Sequence, residues 1–382
     1  MSQNIKTITQ NLENSYAGFK NNPSEENKIK LLDSMTEICS LYAMEGDFEN
    51  FETVFINIRN LKGLTLKNEI NEKLAKCFMV LTQKSKDKIY QKPEILDGLF
   101  TLMMDLKISK PSKEYGYLYK SIHKFRKFWK GYIDFCKWWN FENFTDEDYI
   151  IEENSKMSIA ESALIFYTKR LINTDFDEDI AELALTFINC SQKYDLTIYS
   201  NYYIGKLLLR LKFNNLEIRS ILREFLMKKS HKPWGWHLMS KTFKSGENFM
   251  EKYSCLLIAL NFGKDFPHEI LSNIYLDLAL IFKDLNKLSN AKFFFEIYVS
   301  IKKEFKHKIP EFVQKITKER WYRIIEQERP DTNFDYKEVC RNILRQTKNA
   351  DLELFSKISY ELKNNYHETL QWSKDWYETM ED

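Results

Sequence analysis

The feature that most constrains this chain is a helix-pair spacing that recurs along it. In His231-Lys232-Pro233-Trp234-Gly235-Trp236-His237-Leu238-Met239-Ser240-Lys241-Thr242-Phe243, the residues from Trp236 onward run bulky, apolar, small, aromatic: Trp236, Met239, Ser240, Phe243. A second copy runs Tyr275, Leu278, Ala279, Phe282 and continues to Ala291, Phe295 and Tyr298. This is the spacing of a tetratricopeptide-type repeat, whose first helix wants that order of sizes. One such unit cannot bury its own apolar face and must stack on neighbours. The spacing therefore predicts an all-α chain of antiparallel helix pairs, stacked into a tetratricopeptide-like, right-handed superhelix (an α-solenoid). In this frame Trp236 is a packing residue. It is expected against the partner helix near Tyr253, Leu256 and Leu257, with its indole N–H finding an acceptor.

A third copy lies near the N-terminus. Met35, Ile38, Cys39 and Tyr42 share a face, Gly46-Asp47-Phe48 makes a turn, and Phe51, Phe55 and Ile58 follow. Here Cys39 takes the small position and Phe51 stands where alanine is preferred. Composition agrees with helices. Only ten glycines and seven prolines in 382 residues argue against a fold built from many tight turns. Aromatics make up 15%, enough to fill seams between stacked helices.

Helices are expected over 2–21, 65–83, 94–107, 158–173, 178–192, 196–213 and 216–229. Ser24 is expected to cap the helix that starts beyond Pro23, and Pro111-Ser112 to open another. Pro310 is expected to restart a helix carrying Trp321. Arg329-Pro330-Asp331 is the clearest late break, with three helices after it at 335–348, 351–364 and 366–380. The breaks divide the chain into N-terminal repeats at 1–93, a central tetratricopeptide-like module at 94–328 and C-terminal helices at 329–382.

Charge gives no global case for a polyanion or a membrane, since the net charge is +2 and the pI about 8. The six cysteines, 39, 77, 136, 190, 255 and 340, form no CxxC pair and read as reduced thiols of a cytoplasmic protein. No apolar run approaches the roughly 20 residues of a membrane span, and no signal peptide begins the chain. P-loop, nucleophile-elbow and HExxH motifs are absent, so ATPase, serine hydrolase and zincin chemistry are excluded at that level. No cofactor or metal is expected.

Four groups remain as candidate sites. Lys113, Lys120, Lys124 and Lys127 recur on one helical face with Arg126 and Lys130 beside them, which suits either phosphate contacts or a solvated surface. Lys302, Lys303, Lys306, His307 and Lys308 are a second basic run at a helix end, where positive charge is expected anyway. Asp146, Glu147 and Asp148, with Glu142, offer oxygens to a cation or simply form a capped first turn after Thr145. Trp138, Trp139, Trp234 and Trp236 suit base or peptide stacking, or packing between repeats. His231 and His237 flank the last pair but do not share a helical face.

Two blocks carry a family resemblance. The first is Lys110-Pro111-Ser112, Ile122 to Phe125, Phe135 to Trp139 and Asp146 to Tyr149. The second is Pro233 to Trp236, Tyr253-Ser254-Cys255 to Leu260, Leu276 to Ala279 and Ala291-Lys292. Together, over roughly residues 95–325, they resemble the helical tetratricopeptide-like proteins of prokaryotic TOTE conflict systems, gene clusters that include nucleic-acid enzymes. That resemblance implies a role in antiviral defence beside such enzymes. It also implies an appended cold-shock-like barrel, whereas residues 326–382 here read as helix. The expected function is a non-catalytic scaffold for protein–protein interaction. The alternative is a nucleic-acid-binding accessory subunit that uses the basic helical face.

Overall fold

The computed structural model describes residues 2–61, 68–153, 155–174 and 177–379, and the side chains of 6–61, 69–153, 155–174 and 177–365. Among the described residues there is no strand, and every regular element is helical. The chain is all-α. It forms two compact units, Met1–Leu171 and Ile172–Asp382.

In the first unit α1 (Ser2–Asn21) and α2 (Glu25–Glu45) are separated by Pro23, and Ser24 accepts the Asn27 N–H at 3.3 Å to cap α2. Gly46, at φ 72°, ends α2 in the left-handed region that a side chain disfavours. Asp47 then caps α3 (Phe48–Asn60) by accepting the Asn50 N–H at 3.2 Å. Two residues between the helices force α3 back along α2, and Phe51 and Phe55 meet Phe78 edge-on at 5.2 and 5.5 Å. Next come α4 (Asn68–Lys84), α5 (Lys86–Gln91), α6 (Ile95–Met104), α7 (Lys113–His123), α8 (Tyr132–Trp139) and α9 (Ile159–Leu171). Positions 65–67 of the helix expected at 65–83 lie outside the described residues. α2 packs on α1, α3 and α4, and α4 packs on α7.

In the second unit α10 (Asp177–Lys193), α11 (Tyr199–Arg210), α12 (Asn215–Lys229), α13 (Pro233–Ser240), α14 (Phe249–Phe262), α15 (His268–Asp284) and α16 (Leu288–Glu304) each pack on the next. Proline at the first turn of α13 loses no helical hydrogen bond. Gly235 lets α13 lie close on α12, because a Cβ there would stand 2.6 Å from Phe225 Cε1. Two expectations fail at the end of the chain. The segment after Pro310 is two short helices, α17 (Glu311–Ile316) and α18 (Arg320–Ile324), with Trp321 on the second. After α19 (Tyr336–Gln346), the helices expected at 351–364 and 366–380 are one, α20 (Leu352–Thr379). Asn364 and Asn365 are poor helix formers, but neither removes a backbone N–H as proline does.

The expected breaks at 93/94 and 328/329 fall within units. α4 packs on α7 across the first, while α14 packs on α19 and α10 on α20 across the second. No helix among the described residues is long and apolar enough to cross a membrane.

Candidate functional site

The repeat positions are almost all interior. Trp236, Met239, Ser240, Leu278, Ala279, Phe282, Ala291 and Phe295 are buried, and Tyr275 is half-buried. Trp236 donates its indole N–H to the Ser230 carbonyl at 2.7 Å, which supplies the acceptor a buried indole needs. Phe243 is a correction. α13 ends at Ser240, so Phe243 packs from the turn beyond the helix, under the Arg219 guanidinium at 4.5 Å. Trp139 is fully buried, stacks on Tyr115 at 5.3 Å and donates to the Tyr115 carbonyl at 3.2 Å. Trp138 and Trp234 are half-buried against Phe100 and Phe266.

The lysine stripe does not lie on one helix. Lys113 and Lys120 belong to α7, which stops at His123. Lys124 is the residue that caps it, and Arg126, Lys127 and Lys130 lie in the turns leading to α8. Lys120 is already engaged, 3.2 Å from the buried Asp148 carboxylate. Asp148 also accepts the N–H and the hydroxyl of Thr145 at 3.1 and 3.0 Å, closing a short 3-10 turn over Asp146–Tyr149. The acidic run is thus organised by its own cap and by Lys120. Among the described residues no cluster of His, Cys, Asp or Glu is arranged to hold a metal ion. In the second basic run, Lys302 lies over the Tyr298 ring at 5.5 Å and His307 meets Glu269 at 2.7 Å.

The second unit holds a groove that the sequence did not single out. It is about 570 Å³ and opens between α14, the α15–α16 turn and the irregular segment before α19. Such a size suits a few side chains or a small molecule. One wall is aromatic. Phe249 stacks on Tyr253 at 5.4 Å, Tyr253 meets Phe282 edge-on at 5.2 Å, and Phe334 lies 5.7 Å from Tyr253 on the other side. The segment carrying Phe334 is stitched to the start of α16. Glu328 N–H donates to the Ser289 carbonyl at 3.2 Å, and the Asn290 side chain donates to the Glu328 carbonyl at 3.1 Å.

Polar groups in this groove are left incomplete. The Tyr253 hydroxyl is buried with no hydrogen-bond partner, although the residue is only 2% exposed. Burial, and then the nearby Asp331 charge, push this phenol up to about 12, with Arg329 opposing. It therefore stays protonated at neutral pH and lacks an acceptor. The first turn of α16, at Leu288, Ser289 and Asn290, also lines the groove, and no side chain caps it. Lys287 stands above the Phe249 ring at 5.4 Å.

A second arrangement missed in the sequence lies beside Trp236. The Asp277 carboxylate on α15 takes both His237 on α13 and Lys241 just beyond it, each at 2.5 Å. Burial raises the Asp277 pKa, but the hydrogen bonds and charges of His237 and Lys241 outweigh it and hold the carboxyl below its usual range. The three side chains therefore cross-link α13 to α15. Forty residues separate His237 from Asp277, so no local spacing marks the pair.

Residues 198–339 match the family described as a domain of unknown function (DUF7017). Every residue lining the groove, and the His237–Asp277–Lys241 cross-link, falls inside that span. No curated protein matches the chain.

Proposed function

We propose that the chain is a non-catalytic scaffold, a tetratricopeptide-like stack of helix pairs, whose groove between α14 and α16 receives an extended peptide segment of a partner protein. Successive packing of α10 through α16 supports the stacked arrangement. The observation that carries the reading is the unpartnered Tyr253 hydroxyl in an aromatic-walled groove. A buried donor without an acceptor costs free energy of about 1–3 kcal/mol; its oxygen is closed to solvent, so an incoming carbonyl recovers that cost by shifting the aromatic rings around it. The uncapped turn of α16 offers further N–H donors of the same kind. A peptide brings carbonyls at regular intervals, together with an apolar side chain for the space between Phe249, Tyr253 and Phe334. The likeness of residues 95–325 to the helical proteins of TOTE conflict systems supports a partner drawn from nucleic-acid-processing enzymes, and a role in defence.

Selection of displayed random peptides on the full chain tests this. A shared sequence motif should emerge. Binding of the selected peptide should fall about fivefold in Tyr253→Phe, which keeps the ring and removes the hydroxyl, a loss of about 1 kcal/mol. Absence of any motif, or equal binding by Tyr253→Phe and Phe334→Ala, refutes the groove. Turnover of nucleotide or nucleic acid by the purified chain, abolished by a single Asp or Glu substitution, refutes the non-catalytic reading.

A further inference from the structure

The first unit carries a surface that the second does not explain. At the end of α7 the chain makes two tight turns over 124–129, with Phe128 N–H and Trp129 N–H both donating to the Phe125 carbonyl at 2.9 and 3.1 Å. Arg170 on α9 fixes these turns from outside by donating to the Arg126 and Lys127 carbonyls at 3.0 and 2.9 Å. Trp129, on the inner side, is buried and donates to Asp97 at 2.7 Å. The turn is held on both sides, and it pushes Phe128 outward, 56% exposed.

Tyr90, at the end of α5, stands beside it. The two rings meet edge to face at 5.3 Å, and Tyr90 is itself 38% exposed. Phe128 and Tyr90 thus form a pair of exposed aromatics at a fixed corner, with Tyr90 also packing on the buried Phe125 at 5.4 Å. Cations surround them. Lys86 lies 5.6 Å from the Tyr90 ring, Lys124 lies 5.1 Å from the Phe125 ring, and Lys127 is exposed on the same turn. Among the described residues none of Lys86, Lys124 and Lys127 pairs with a carboxylate. Burial, and then the charge of Lys86, hold the Lys124 pKa down to about 8, so the Lys86 and Lys124 ammonium groups stand close together.

We propose that this corner binds a single strand of nucleic acid, with unpaired bases stacking on Phe128 and Tyr90 and with Lys86, Lys124 and Lys127 taking the phosphates. Exposed rings and unpaired cations together select this occupant. Phosphates alone would satisfy the lysines, and an unpaired base adds a flat face for the rings. A duplex keeps its bases stacked inside and would leave Phe128 and Tyr90 in water. The surface reads no base edges, so it accepts any sequence. The proposal does not rest on the peptide groove.

Fluorescence anisotropy with the full chain tests it, using a labelled oligo-dT strand, the same length of duplex DNA, and inorganic polyphosphate as a pure anion. The single strand should bind best. Its affinity should fall with salt at a logarithmic slope of about −2, as for three phosphate contacts on a single strand. Phe128→Ala should weaken oligo-dT about tenfold while leaving polyphosphate binding unchanged, since stacking is worth roughly 1–3 kcal/mol per base. Lys86→Gln with Lys127→Gln should flatten the salt slope to about −0.7. Lys113→Gln, at the far end of α7, should change nothing. No binding of oligo-dT at low salt, or equal binding of single strand, duplex and polyphosphate with Phe128→Ala silent, overturns the proposal.

Discussion

Replacing Trp236 by alanine should open a cavity between α12, α13 and α14 and remove a large share of the stability of the second unit. The indole is 2% exposed, and its N–H is fixed on the Ser230 carbonyl at 2.7 Å. Close packing of α13 on α12, which Gly235 permits, leaves no slack for the helices to collapse into the space. Truncation of a buried Trp then costs about 3–5 kcal/mol, set against a typical domain stability of roughly 5–15 kcal/mol. With a urea dependence of about 3 kcal/mol per molar, the midpoint should drop by roughly 1–1.7 M. Trp236→Phe keeps much of the apolar burial but loses the hydrogen bond and part of the ring volume, so it should cost about 1–2 kcal/mol. The control is Lys127→Ala at an exposed turn, expected within about 0.5 kcal/mol of the parent. Lys124 does not serve, because its half-buried stem lies over Phe125. Urea unfolding followed by far-UV circular dichroism, with hydrogen exchange of α13 and α14 to localise the effect, decides it. If Trp236→Ala keeps the parent midpoint and the protection of α14, the packing role of the central stretch is wrong.

Other perturbations have expected outcomes of their own. His123 is buried between the Tyr132 and Ser162 hydroxyls, at 2.8 and 3.1 Å, and burial together with Arg126 lowers its pKa to about 3. Against an unfolded value of about 6.5 it favours the fold above that pH, so acidifying from 7 to 5 should cost the first unit about 2 kcal/mol, and His123→Asn should show a flatter dependence of urea midpoint on pH. Asp277 is also depressed, so its contribution is complete above the unfolded value of about 3.9 and fades as pH falls through the folded one. The gap in midpoint between the parent and Asp277→Asn should therefore narrow from pH 5 to pH 3, and a constant gap would count against the cross-link. Gly46→Ala places a Cβ at φ 72° and 3.2 Å from Ser85 Oγ, and should cost about 1–2 kcal/mol by thermal melting.

The fold was legible where its signals are local. Ser24 accepts an N–H three residues on, and such a cap needs only the right residue before an apolar run. Buried positions at three-and-four spacing, as at Leu278, Ala279 and Phe282, show the same economy. Breaks were less legible. Lys113 to Lys130 has helical spacing throughout, yet α7 stops at His123, because tertiary contacts decide there. Phe125 and Trp129 turn inward, and Arg170, from another helix, holds the carbonyls of Arg126 and Lys127. No property of residues 113–130 alone contains Arg170.

The basic cluster was visible as a charge pattern but not as a surface for the same physical cause. Sequence spacing placed Lys120 and Lys124 on one face as equals. Asp148 claims Lys120 from 28 positions away, at 3.2 Å, while Lys124 is left beside Lys86, from a helix nearly forty positions earlier. Which cation is spent within the fold and which remains for a ligand is settled by these long-range neighbours. The groove follows the same rule. Tyr253 reads as one more aromatic in an apolar helix, and its hydroxyl becomes informative only when Phe334 and Asp331 arrive from eighty residues later and bring no acceptor within reach. A candidate binding surface in a stacked helical protein is therefore best sought among polar groups that folding leaves unpaired, since the groups most conspicuous in the sequence are often those the fold has already used.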